Sequence, residues 1–323
     1  IAITNGSQSA FFFLFNMFSG TFSQPGKEPL KKTVVFPLVP EYVGYADQGI
    51  EKDTFVGIPA KCVYYPDNTF KYFIDFDALE TYLEKHREVG AMCVSRPTNP
   101  TGNVLTNDEI RHLSALAYKY NIPLFVDNAY GLPFPNIIFT EDAKPYWDSS
   151  VILSMSLSKI GLPSLRTGIV VAKPELIKAL ASVNSIVALA SGSLGQVISQ
   201  DLFATGKMKT LAESYVRPFY QQKSLFAQNC FKEFFAGTNY SVHKSEGAIF
   251  NWILMNDLKI PTKELYVKLK DQGVITVPGE YFFFGTPEHE HYDKCLRINY
   301  SRPEDEVREG IRIIAETYKK FCK

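Results

Sequence analysis

Short apolar runs alternate with amphipathic stretches through the first two thirds of the chain, and that alternation limits the possible folds more than any other feature. Thr33–Pro37, Ala91–Ser95, Pro123–Asp127, Val151–Ser156 and Gly168–Ala172 are strand candidates. Between them, Asp75–Arg87 and Asn107–Tyr120 repeat apolar residues at helical spacing. Continuous apolar strands interleaved with helices predict an α/β fold: a mostly parallel central sheet, flanked by helices that cover both faces. Ligands of such sheets bind beyond the carboxyl ends of the strands. The unusual polar residues of this chain fall just after those strands.

From about Val183 the texture changes. Two long helical stretches are expected, Asn184–Ala204 and Leu211–Phe235, then strands at Ala248–Met255 and Leu296–Asn299 among helices at Thr262–Gln272 and Pro303–Phe321. This reads as a smaller α+β C-terminal domain. The predicted boundary is Thr205–Gly206, giving a large domain over 1–205 and a small one over 206–323. The most apolar run, Ala10–Phe18, is too short to cross a bilayer and follows no basic segment, so it is expected as a buried helix rather than a leader or anchor.

Lys and Arg number 34 and Asp and Glu 34, so the formal net charge is zero. The chain therefore has no bulk attraction for nucleic acid or an anionic membrane, and neither is expected as a partner. Five cysteines, odd in number and without a CxxC pair, argue against a disulfide framework or a metal site and for a reducing, cytoplasmic setting.

Four stretches carry polar function. Asn5-Gly6-Ser7-Gln8 opens the first predicted helix, where free backbone N–H groups and the positive end of the helix dipole suit an anion. Ser156 and Lys159 follow the apolar strand Val151–Met155, with Arg166 close behind. An ammonium is costly to bury unless it is used or neutralised, and a lysine of lowered pKa is a candidate for chemistry on a carbonyl. A hydroxyl and a guanidinium fork beside it suit a phosphate. Asp127 and Tyr130 close the strand Pro123–Asp127, and the Pro-rich turn Arg96–Asn103 holds Asn99. Taken singly, each stretch has an ordinary explanation: an N-cap, a surface lysine, an Asp capping a turn, a loop.

Together they form a pattern. In order, GSQ, Pro40-Glu41-Tyr42 after a strand, NPTGN, DNAY, SLSKIGLPSLRTG and a late LRINYS resemble the fold-type-I pyridoxal-phosphate enzymes of the class I aminotransferase family, over essentially the whole chain. The resemblance implies pyridoxal 5'-phosphate as cofactor, an amino acid and a 2-oxo acid as substrates, and a homodimer. It implies that Lys159 binds the cofactor aldehyde and then acts as the catalytic base. Asp127 would pair with the ring nitrogen, and Tyr130 and Asn99 would bond the ring oxygen. Gly6, Ser7, Gln8, Ser156 and Arg166 would hold the phosphate, and Tyr42 would lie over one ring face. Arg297, inside the apolar run Cys295–Tyr300, would clamp the substrate carboxylate, with Asn99 beside it.

The finer expectation is exchange between valine, or a similar small aliphatic amino acid, and pyruvate. The alternatives are a C–S lyase or cyclopropane-forming synthase on the same scaffold, and the aminotransferase-like sensor domain of a transcription regulator. The family pattern also has residues ahead of GSQ that cover the substrate and reach the neighbouring subunit; these correspond to no position in this sequence. The bonds Val39–Pro40 and Asn99–Pro100 are expected to be cis.

Overall fold

Val89–Ser95 is buried along its whole length, as a strand covered on both faces must be. It lies in the middle of an eight-stranded sheet. The computed structural model describes residues 1–23, 25–286 and 289–322. In chain order the first half runs β1 (Ala2–Thr4), α1 (Ser7–Phe18), β2 (Gly20–Phe22), β3 (Leu30–Val39), β4 (Phe55–Pro59), β5 (Lys61–Tyr64), β6 (Thr69–Phe73), α2 (Phe76–Lys85), β7 (Val89–Ser95), α3 (Asn107–Tyr120), β8 (Leu124–Asp127), β9 (Val151–Ser156) and β10 (Gly168–Val171). Then follow α4 (Pro174–Ala188), α5 (Leu194–Ala204), α6 (Lys207–Leu211), α7 (Arg217–Phe234), β11 (Tyr240–His243), β12 (Phe250–Met255), α8 (Thr262–Lys270), β13 (Val277–Pro278), β14 (Cys295–Asn299) and α9 (Glu304–Lys320).

The large sheet has the order β1-β10-β9-β8-β7-β3-β2, with β4 also paired to β3. Its centre is parallel, β4-β3-β7-β8-β9, and antiparallel pairs lie outside it. The carboxyl ends of β3, β7, β8 and β9 therefore share one edge. Helix α3 begins where its sequence says: Thr106 Oγ1 accepts from Glu109 N–H, and the Glu109 carboxylate accepts from Thr106 N–H, a reciprocal capping box. Helix α1 buries Phe11, Phe13 and Phe15, and Phe15 packs against Phe36, Phe55 and Phe125 of the sheet. The expected mostly parallel sheet flanked by helices, and the buried helix near the N-terminus, are both present.

A second, six-stranded sheet has the order β13-β14-β12-β11-β6-β5. It takes β5 and β6 from the first half of the chain, so a cut at Thr205–Gly206 does not follow the sheets. Lys71 is the reason β6 escapes a reading by hydropathy. It sits inside the strand, buried, with its ammonium 2.7 and 2.8 Å from the two Glu246 carboxylate oxygens.

Two predicted helices are broken. The stretch expected over Asn184–Ala204 is interrupted between α4 and α5, where Leu189 takes a φ of 58° ahead of the helix-poor Ser191-Gly192-Ser193. The stretch expected over Leu211–Phe235 contains a π turn at Ala212–Val216, immediately before Pro218 enters α7 without an N–H to donate.

Candidate active site

Four parallel strands deliver side chains to one place. Beyond β3 comes Tyr42, beyond β7 Asn99, at the tips of β8 and β9 Asp127 and Ser156, and beyond β9, in a short 3-10 turn, Lys159. They line a cavity of about 510 Å³ together with Ser7 and Gln8 from the start of α1, Tyr130, Arg166, and Arg297 from β14 of the second sheet. The amine, the carboxylate and the two guanidinium groups that the sequence singled out thus share one cavity. Gly6 is not among the lining residues but adjoins Ser7, which is.

At one end, no side chain caps α1, so its first backbone N–H groups have no helical or capping partner. Arg166 reaches across this helix start: a Cβ on Gly6 would overlap Arg166 Nη2, and Gly6 has φ 84°. Only glycine fits there. Ser7 Oγ is committed to the Met155 carbonyl at 3.1 Å, which ties the helix start to β9 and leaves the backbone groups as the free donors. Arg166 Nη1 also approaches Ser158 Oγ at 3.4 Å. This end has the donors an anion needs.

At the other end, the Asp127 carboxylate accepts from Tyr45 Oη at 2.5 Å and from Ala129 N–H at 2.9 Å. Burial raises its pKa, while those two bonds and the nearby Lys159 pull it down. Between the ends, Lys159 Nζ lies 5.4 Å from the Tyr130 ring centroid. Burial, with Arg297 and Arg166 nearby, lowers the pKa of this amine, which favours the neutral, nucleophilic form, against the opposing pull of Asp127.

Arg297 Nη1 donates to Asn99 Oδ1 at 2.8 Å, and its guanidinium lies 4.4 Å from the Phe250 and 5.3 Å from the Phe282 ring centroid. Among the described residues no carboxylate pairs with Arg297, so its guanidinium has no counter-ion in the cavity. The Asn99–Pro100 bond corrects an expectation: it is trans. Val39–Pro40 is cis as expected, and among the described residues so are Arg96–Pro97, Leu132–Pro133 and Phe134–Pro135. Asn99 is placed instead by a tight turn, in which Thr98 N–H donates to Asn103 O and Gly102 N–H to Thr98 O, with Gly102 at φ 72°.

Sequence reasoning missed Tyr45, Ser158 and the apolar wall of Phe11, Val43, Ile249 and Phe250. Tyr45 is three residues beyond Tyr42, but nothing in that spacing marks its hydroxyl as a partner of Asp127. Ser158 is one serine among several in its loop, and the apolar residues look like ordinary core.

The family description "Aminotransferase class I and II" matches residues 52–314. The chain is 44% identical over 317 residues to the valine–pyruvate aminotransferase of Escherichia coli (strain K12), covering 98% of this chain and 74% of that protein. The chain belongs to the class I and II aminotransferases. The crystal structure of valine–pyruvate aminotransferase AvtA from Salmonella typhimurium LT2 superposes with a TM-score of 0.89 at 43% identity, covering 99% of this chain and 78% of that one. A solved structure from Psychrobacter arcticum 273-4 gives 0.95 at 42% identity, covering 99% and 74%. The fold is thus fold type I, and the protein is a pyridoxal-phosphate-dependent transaminase acting between an amino acid and a 2-oxo acid. The residues present fit that cofactor. The unpaired N–H groups at α1 and Arg166 suit its phosphate, the buried carboxylate of Asp127 suits its ring nitrogen, and the half-buried amine of Lys159 suits its aldehyde.

Proposed function

We propose that this aminotransferase exchanges the amino group of L-valine, or of a similar small aliphatic amino acid, with pyruvate, giving the branched 2-oxo acid and L-alanine. The observation that carries this reading is the 44% identity with a valine–pyruvate aminotransferase along 98% of the chain. The cavity's cations support it. Among the described lining residues they are Lys159, Arg166 and Arg297. With Arg166 on the phosphate and Arg297 on the α-carboxylate, none is left for a second, distal carboxylate. Val43, Ile249 and Phe250 offer an apolar wall to the substrate side chain.

In this reading Ser7, Gln8, Ser156 and Arg166 hold the phosphate, with Gly6 giving them room. Asp127 keeps a proton on the ring nitrogen, Tyr130 and Asn99 bond the ring oxygen, and Tyr42 covers a ring face. When bound, pyridoxal phosphate takes up the electron pair that remains at substrate Cα after the proton leaves. Arg297 holds the α-carboxylate in both half-reactions, because a bidentate guanidinium fork fits the amino acid and the 2-oxo acid alike. Lys159 Nζ would take the Cα proton and hold it for return to the bound pair, and burial, with Arg297 and Arg166 nearby, favours the neutral amine that such a base needs.

We also propose a homodimer. Ile186, Leu189 and Val197 are 85%, 87% and 65% exposed on α4, the turn after it and α5, an apolar face that a second copy would cover. The five cysteines, all free thiols, support a cytoplasmic setting. Among the described residues no helix is long and apolar enough to cross a membrane.

The test compares kcat/KM for L-valine, L-alanine and L-aspartate as donors, and supplies L-valine alone. Preference for valine over aspartate, and release of a single equivalent of 2-oxo acid per site without acceptor, are expected. Continuous turnover without a 2-oxo acid would indicate a lyase.

A further inference from the structure

Glu41 stands beside Tyr42, and its carboxylate is buried, 1% exposed. Three donors converge on it: Tyr42 N–H at 2.7 Å and Ser95 Oγ at 2.7 Å on Oε1, and Ser95 N–H at 2.9 Å on Oε2. No described cation pairs with it. Ser95 is the last residue of β7 and the register partner of Asp127 on β8. Arg96 N–H donates to the Asp127 carbonyl at 2.8 Å, and Thr98 Oγ1 bonds the Ser95 carbonyl at 3.1 Å. One carboxylate therefore joins the segment carrying Tyr42 to the strand end from which the Asn99 turn departs. A buried carboxylate kept without a cation is costly, so its retention needs such a use.

We propose that Glu41 is a positioning residue: its carboxylate pins the backbone of Tyr42 to Ser95 at the end of β7, and so fixes Tyr42 and the Asn99 turn relative to Asp127. The clamp needs the ionised form, because only a carboxylate accepts from all three donors without a proton of its own to place. The groups facing it are Asp127 from β8, Cys93 from β7, and Tyr42 and Tyr45 from its own segment. Burial pushes its pKa up to about 8, opposed by the Ser95 and Tyr42 bonds and aided by the like charge of Asp127. The clamp therefore tightens as pH rises through that value.

This inference rests on the proposed placement of Tyr42 against the cofactor, and two readouts separate it from that reading. In the loaded enzyme, kcat against pH should bend near pH 8 in the wild type, and not in Glu41→Gln. Glu41→Asp is one methylene short of bridging Tyr42 and Ser95, and its kcat should fall about tenfold, the effect of losing one buried hydrogen bond. Ser95→Ala removes a bond that favours the charged form and should move the bend to higher pH. In the full chain as purified, folded Glu41 retains a proton between its ordinary pKa of 4.5 and about 8 that the unfolded chain has released. The melting temperature of the wild type should therefore decline relative to Glu41→Gln across that window. A pH-independent difference in melting temperature, or a bend that persists in Glu41→Gln and does not move in Ser95→Ala, would overturn the proposal. Should the wild type show no transamination, the site reading fails, while the melting comparison still decides whether Glu41 titrates as stated.

Discussion

Tyr45 Oη donates to Asp127 Oδ2 at 2.5 Å, from a buried position in the cavity lining packed against Phe11, Phe15 and Phe36. The bond stabilises the charged form of a carboxylate that burial would otherwise neutralise. Tyr45→Phe leaves the aromatic packing and removes the donor. Asp127 then titrates higher and holds a ring-nitrogen proton less firmly, so cofactor affinity should fall by about tenfold, the worth of a hydrogen bond to a charged group. Equilibrium titration with pyridoxal phosphate measures it, and an unchanged affinity would remove Tyr45 from the account.

Arg297 meets Asn99 across two sheets, with aromatic rings on its flanks. Lysine in its place keeps the charge and loses the planar fork. Arg297→Lys should raise KM for amino acid and 2-oxo acid together, by roughly tenfold to a hundredfold, with a smaller effect on cofactor binding. Steady-state kinetics in both directions checks this; a rise confined to one substrate argues against a shared carboxylate clamp.

A side chain at Gly6 would displace the Arg166 guanidinium and sit at a φ of 84°. Gly6→Ala sets a methyl against Arg166 and places a non-glycine residue at φ 84°, which costs about 1–3 kcal/mol of local strain. Arg166 must move, and affinity for inorganic phosphate and for the cofactor should fall in parallel. Calorimetric titration with each ligand measures the loss.

Two buried histidines make the fold acid-sensitive. His243 accepts Tyr72 N–H at Nε2 and bonds the Lys244 carbonyl through Nδ1, while His291 lies between the Tyr64 and Tyr72 hydroxyls. Burial lowers both pKa values to about 3. The unfolded chain binds these protons near pH 6.5 and the folded chain does not, so stability is lost as pH falls below about 6.5. Denaturant unfolding at pH 5 should show a loss of about 2 kcal/mol per histidine relative to pH 7. His291→Phe should lessen that pH dependence even if it lowers stability at pH 7.

The parallel core was legible because β7 is buried along its whole length and β8 and β9 open on the buried apolar runs Leu124–Val126 and Val151–Ile152. The β5–β6 hairpin was not. Its strands are short, β5 is largely exposed, and β6 carries Lys71, whose neutralising partner Glu246 is 175 residues away. The cavity's charged groups could be found one by one because each breaks a local rule: an amine after a buried strand, an arginine within an apolar one. Tyr45 breaks none. An aromatic residue in an apolar neighbourhood gives no sign that its hydroxyl has a carboxylate partner 82 residues on. The turn at Asn99 was misread for a related reason, since its shape is set by hydrogen bonds among Thr98, Gly102 and Asn103 rather than by either flanking proline.

The most direct measurement is to load the protein with pyridoxal phosphate, reduce it with borohydride, and locate the fixed cofactor by peptide mass spectrometry. The account predicts one cofactor per chain on the peptide containing Lys159, and none in Lys159→Ala. Cofactor fixed to another lysine, or still fixed in that variant, would contradict it.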